Sequence, residues 1–150
     1  WLLDHMGAIK VNRGTADRVM IRNASAILEQ GEKVGIFPEG TRGRARDDLN
    51  EITQAHEGAA FLATRMNVPI VPVGLAGFDK ISQKRKLLPQ FPRTICIVGD
   101  PIYPDDIPGE RKEKMAEMTK RVMEEVVRLR DEGAEILEAD KQKRKGYIEV

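Results

Sequence analysis

A chain of 150 residues that is 41% hydrophobic and 33% charged has the size and mix of one globular domain with a buried core and a densely charged surface. Its 25 basic and 24 acidic residues leave a formal charge of +1, which argues against a general nucleic-acid coat, and its one cysteine excludes an internal disulfide and a thiolate zinc cage. The longest apolar run, 68–78, carries Pro69 and Pro72 and falls short of the ~20 residues that a membrane span needs, and no signal-peptide pattern is visible.

The uncapped apolar start Trp1-Leu2-Leu3, with no methionine, reads as a chain that begins inside a larger protein. Ala8–Val11 alternates as a short strand does. Thr15 is a good helix N-cap, with Asp17 in the first turn. Ala16, Met20, Ala24, Ile27 and Leu28 follow at helical spacing, and Gly31 ends that helix. Val34–Phe37 reads as a buried strand, and Pro38–Arg44 as a polar, glycine-bearing loop. A second helix is expected over 52–66, then a strand over 68–74 whose prolines suggest an edge or a kink. Thr94–Gly99 reads as another short strand, with Cys96 buried in it. Gly109 precedes a long amphipathic helix with Met115, Met118, Val122, Val126 and Leu129 as its core-facing stripe. The segment after Gly133 is charged and is expected to fray or to form a solvated helix. Strands alternating with helices predict an α/β fold with a largely parallel sheet flanked by helices. Residues 1–133 would form the domain, and 134–150 a charged tail.

If Ala8–Val11 and Val34–Phe37 flank an ordinary crossover helix, the residues that follow each strand share the carboxyl edge of the sheet, where open α/β sheets bind ligands. That would bring Arg13 and Arg42 to one ligand. Two planar guanidinium forks beside a glycine turn with free backbone N–H groups make a phosphate cradle. Gly40 permits close backbone approach, and Thr41 adds a hydroxyl. Glu39 would orient an arginine or accept a hydrogen bond from a substrate hydroxyl. On spacing alone, surface ion pairs of Arg13 and Arg42 with Glu39 or Asp17 account for the same residues equally well.

The run Phe37-Pro38-Glu39-Gly40-Thr41-Arg42 resembles the third sequence block of the glycerophospholipid acyltransferases, the 1-acyl-sn-glycerol-3-phosphate acyltransferase family. Gly7–Arg13 is similar to the second block and Val68–Val73 to the fourth, in the same order and at similar spacing. The resemblance covers about residues 1–104. It implies an N-terminally truncated glycerol-3-phosphate acyltransferase-like fold. It also implies acyl transfer from acyl-CoA or acyl carrier protein to the free hydroxyl of a lysophospholipid, with no bound cofactor and no metal. By the same resemblance Arg13 and Arg42, with Glu39, Gly40 and Thr41, hold the acceptor's glycerol phosphate. Val68, Pro69, Ile70, Val71, Pro72 and Val73 lie on the acyl side or serve structure. The family's association with membranes places the protein at a cytoplasmic membrane face.

The family's first block, His-x4-Asp, supplies the general base. Here Lys10 stands five residues after His5 and Phe61 five after His56, so neither histidine completes the pair. The block is therefore expected upstream of Trp1, and residues 1–150 alone are expected to be nearly inactive. A non-catalytic anion- or lipid-binding module of the same fold is the alternative. His56 reads as a packed helical histidine. Lys84, Arg85 and Lys86, near Leu88 and Phe91, read either as a solvated loop or as a basic patch for anionic lipid headgroups or the phosphates of coenzyme A. No Gly-Lys-Ser/Thr phosphate loop and no His-Glu-x-x-His pair occurs. Nucleic acid is not an expected partner.

Overall fold

The computed structural model describes residues 7–9, 18–37, 57–78 and 93–146. In chain order these form α1 (Arg18–Glu29), α2 (Glu57–Met66), β1 (Val73–Ala76), β2 (Ile95–Val98), a 3-10 turn at Pro104–Asp106, and α3 (Arg111–Gly146).

Each helix ends or begins where its sequence signals it. After α1, Gly31 takes φ 77°, and its N–H donates to Leu28 O at 3.0 Å while Glu32 N–H donates to Ile27 O at 3.2 Å. This paired closure satisfies the last carbonyls and favours a residue without a Cβ. Glu57 in the first turn of α2 and Arg65 in its last both suit the helix dipole. Asn67 closes α2 in the left-handed region at φ 49°, and Val68 N–H reaches back to Ala63 O at 3.1 Å. At the start of α3, the N–H of Glu110 donates to Glu113 Oε2 at 3.4 Å, one half of a capping box.

The core lies between α2, the 3-10 turn and the first half of α3. Ala60, Ala63, Ile107, Met118 and Val122 are its buried members, with Val68, Ile70, Ile102, Met115 and Val126 packed against them. The methionine-rich stripe of α3 is thus core, as its spacing indicates. Further along, Leu129 and Gly133 lie against the sheet. At 1.5 Å per residue the 36 residues of α3 extend about 54 Å. The helix passes through Gly133 without a break, and Asp140 forms an ion pair with Arg93 at the entry to β2.

The mixed α/β class holds, but the described sheet has two strands, and they are antiparallel. The largely parallel arrangement expected from the sequence is not seen among the described residues. Val34–Phe37 joins no ladder there, and Phe37 is 82% exposed. The strand expected over 68–74 begins at Val73 because Pro69 and Pro72 lack the N–H that a ladder requires. Upstream of it, Ile70 and Ile102 make one isolated bridge.

The register pairs Val73 with Val98, Gly74 with Ile97, Leu75 with Cys96 and Ala76 with Ile95. Directly paired residues share a face. Gly74, Ala76, Ile95 and Ile97 therefore face α3, and a Cβ added at Gly74 would stand 2.5 Å from the backbone of Leu129 and Arg130. Cys96 belongs to the other face and is exposed, not buried as expected. Strand-like flanks predict alternation, and only one of the two faces is covered by the helix.

Candidate functional site

Of the residues singled out for the phosphate cradle, Arg13, Glu39, Gly40, Thr41 and Arg42 lie outside the described residues, as do Lys84, Arg85, Lys86, His5 and His56. The strip Val68–Val73 is described. Val68 and Ile70 rest against the core, and Pro72 is fully buried. Ile70 and Ile102 exchange backbone hydrogen bonds of 3.0 and 2.8 Å, and Pro72 O accepts from Gly99 N–H at 2.9 Å. Pro69, Val71 and Val73 point outward. One edge of the strip is thus anchored, and the other presents an apolar row that Val98, 64% exposed, continues on β2.

A second feature lies on the helices that bracket the cradle's sequence. A groove of about 790 Å³ runs between α1, α2 and the start of α3. Positions 18, 22, 25 and 29 recur along one side of α1, so Arg18, Arg22, Ser25 and Glu29 all line the groove. Across it stand Glu57, Phe61 and Arg65 of α2, with Met115 of α3 closing the floor. Arg111 sits over the Phe61 ring, 5.2 Å from its centre, an arrangement that favours the cation. Ser25 is 8% exposed, and its Oγ has no hydrogen-bond partner among the described residues.

Four of the described arginines are paired with carboxylates. Arg121 pairs with Glu117, Arg128 with Glu125 and Glu132, Arg130 with Asp131, and Arg93 with Asp140. The hydrogen bond from Arg121 holds the Glu117 carboxyl below its ordinary range, and that from Arg128 does the same for Glu125. Arg18, Arg22 and Arg65 have no such carboxylate among the described residues. The four-residue step from Arg18 to Arg22 is legible in the sequence, but the lack of a carboxylate among the described residues is a property of the fold.

Among the described residues no cluster of histidine, cysteine, aspartate or glutamate is placed to hold a metal, and no helix is long and apolar enough to cross a membrane.

Residues 1–76 match the family model described as Acyltransferase. The chain is similar to the 1-acyl-sn-glycerol-3-phosphate acyltransferase of Bacillus subtilis, with 28% identity over 85% of this chain and 59% of that protein. It is also similar to the Haemophilus influenzae protein of the same name, with 31% identity over 79% of this chain and 45% of the relative. The alpha form from Mus musculus is 30% identical over 73% of this chain and 39% of its own length. The chain thus spans between 39% and 59% of the length of these relatives. No solved structure matches.

Proposed function

Because the chain belongs to the Acyltransferase family, we propose that it serves acyl transfer from an acyl-CoA or acyl carrier protein thioester to a lysophospholipid hydroxyl. The acceptor is 1-acylglycerol-3-phosphate and the product phosphatidate. The observation that carries this reading is the run Phe37–Arg42, which falls inside the segment that matches the family.

In the proposed step the acceptor hydroxyl oxygen attacks the thioester carbonyl carbon. The new C–O ester bond forms, the C–S bond breaks, and the hydroxyl proton ends on the departing thiolate. Arg13 and Arg42 clasp the glycerol phosphate, with Gly40 and Thr41 supplying backbone approach and a hydroxyl donor. Glu39 orients an arginine or accepts from the acceptor hydroxyl. The outward row Pro69, Val71 and Val73 lies on the acyl side, held by the inward Val68, Ile70 and Pro72. Lys84, Arg85 and Lys86 meet an anionic membrane surface at its cytoplasmic face. Residues 1–133 form the working domain and 134–150 its charged tail.

No His-x4-Asp pair occurs in residues 1–150. A positioned base contributes roughly 10²–10⁴-fold, so these residues alone turn over slowly. A second reading is a non-catalytic module that binds the phosphate of a lysophospholipid through the same residues.

The test is phosphatidate formation from lysophosphatidate and labelled acyl-CoA or acyl carrier protein, using protein expressed from the complete reading frame. Arg42→Ala is expected to lower kcat/KM about 10–100-fold with the melting temperature unchanged. Saturable lysophosphatidate binding without product from either donor selects the binding module, and neither binding nor product rejects both readings.

A further inference from the structure

We propose that α3 beyond Gly133 is a strap that holds shut the end of the ladder where β1 and β2 part, and that ionic strength loosens it. Leu129, Gly133, Leu137 and Asp140 follow one another at helical spacing, so they share one face of α3. Along that face they meet the sheet in order. Leu129 lies at Gly74, Gly133 against Ala76 and Ile95, and Leu137 against Gly77. Asp140 then forms its ion pair with Arg93, just before β2. Gly77 takes φ 82°, and a Cβ on it would meet both Leu137 Cδ1, at 3.0 Å, and the carbonyl oxygen of Arg93. A residue without a side chain thus lets the two strands part close together under the helix. The charged end of α3, expected from the sequence to fray or to be solvated, spans the base of the β1–β2 connection.

Two properties let the strap open without the rest of α3. A glycine at 133 weakens the helix where the strap begins. The strap also ends in a charge pair rather than in apolar burial. The side chains of Arg93 and Asp140 are 58% and 38% exposed, so dissolved salt screens them. Leu129 and Gly133 are buried, and that part of the contact does not respond to salt. The ladder itself supplies the readout. Gly99 N–H bonds to Pro72 O, so by antiparallel alternation Gly74 with Ile97 and Ala76 with Ile95 are the hydrogen-bonded pairs. Opening of the strap frees the Ala76–Ile95 pair and leaves the Gly99 bond at the other end closed. The strap is independent of the acyl-transfer reading.

The test is hydrogen–deuterium exchange of the ¹⁵N-labelled full chain, each amide rate taken relative to its intrinsic value, between about 0.05 M and about 1 M salt. The Ala76 and Ile95 amides should exchange about 2–5-fold faster at high salt, while Gly99 holds constant. Arg93→Gln and Asp140→Asn should each give the fast rates already at low salt and abolish the salt response. The charge swap of Arg93→Asp with Asp140→Arg should restore both the slow rates and the response. Leu137→Ala should speed the same two amides about 10-fold, again without moving Gly99. If Leu137→Ala fails to fold, the charge variants and the salt series on the native chain decide. A native chain whose Ala76 and Ile95 amides ignore salt, or folded variants that speed Gly99 as much as Ile95, overturns the proposal.

Discussion

Asn67 Nδ2 donates to Asp105 Oδ2 at 3.2 Å, from a residue whose own backbone sits at φ 49°. One residue therefore closes α2 with its backbone and, with its side chain, ties the helix to the 3-10 turn that delivers the chain to α3. Two separable effects are at stake, the left-handed backbone and the cross-link. Asn67→Ala should cost about 1–2 kcal/mol, because alanine resists that φ and lacks the amide. Asn67→Gly keeps the backbone easy and should cost less. Urea unfolding of both variants measures the split, and equal costs would mean that the backbone term is negligible.

Gly74 lets the sheet meet α3. An alanine there would push its methyl to 2.5 Å from backbone atoms of Leu129 and Arg130, which cannot rotate away. Gly74→Ala is therefore expected to destabilise the fold by about 3 kcal/mol, at the upper end for overpacking. Chemical denaturation is the measurement, and a loss under about 1 kcal/mol would show that helix and sheet can part at little cost.

Ser25 carries a stability cost. Its buried Oγ lacks a partner among the described residues, and alanine is the better helix former. Ser25→Ala is expected to raise stability by about 1 kcal/mol. A fall in melting temperature on this substitution would mean that the hydroxyl is satisfied after all.

The carboxylates paired along α3 predict an acid limb. The hydrogen bond from Arg128 lowers the Glu125 carboxyl below its ordinary value of 4.5. A depressed folded-state value contributes stability above the unfolded one and loses it as pH falls through the folded one. The melting-temperature advantage of the native chain over Glu125→Gln should thus be present at neutral pH and shrink as pH drops below about 4.5. The effect is small because both partners face water. An advantage that grows on acidification would contradict this sign.

What could be read from the sequence was what local chemistry dictates. Gly31 stops α1, and the 115, 118, 122, 126, 129 spacing of α3 marks its buried stripe, because turn strain and helical periodicity are written in single residues. β2 was legible at Ile95–Val98 for the same reason. Pairing partners were not legible. Val34–Phe37 has the composition of a buried strand, yet it joins no described ladder, and Cys96 has apolar neighbours, yet it lies on the uncovered face. Both outcomes depend on what packs against the strand. Of the expected site, only Val68–Val73 falls among the described residues, and there the prolines set the ladder's start. That Arg18, Arg22 and Arg65 lack a carboxylate partner among the described residues has no signature in a one-dimensional text.

α3 meets the α2 core near Met118 and the two-stranded sheet near Leu129 and Gly133, all on one uninterrupted rod. Because the turns between those contacts are intact, lifting the rod off one patch levers it off the other. Amide protons on α2 and on β1 should therefore exchange with deuterium through one shared opening event, with a common free energy, rather than as two independent zones.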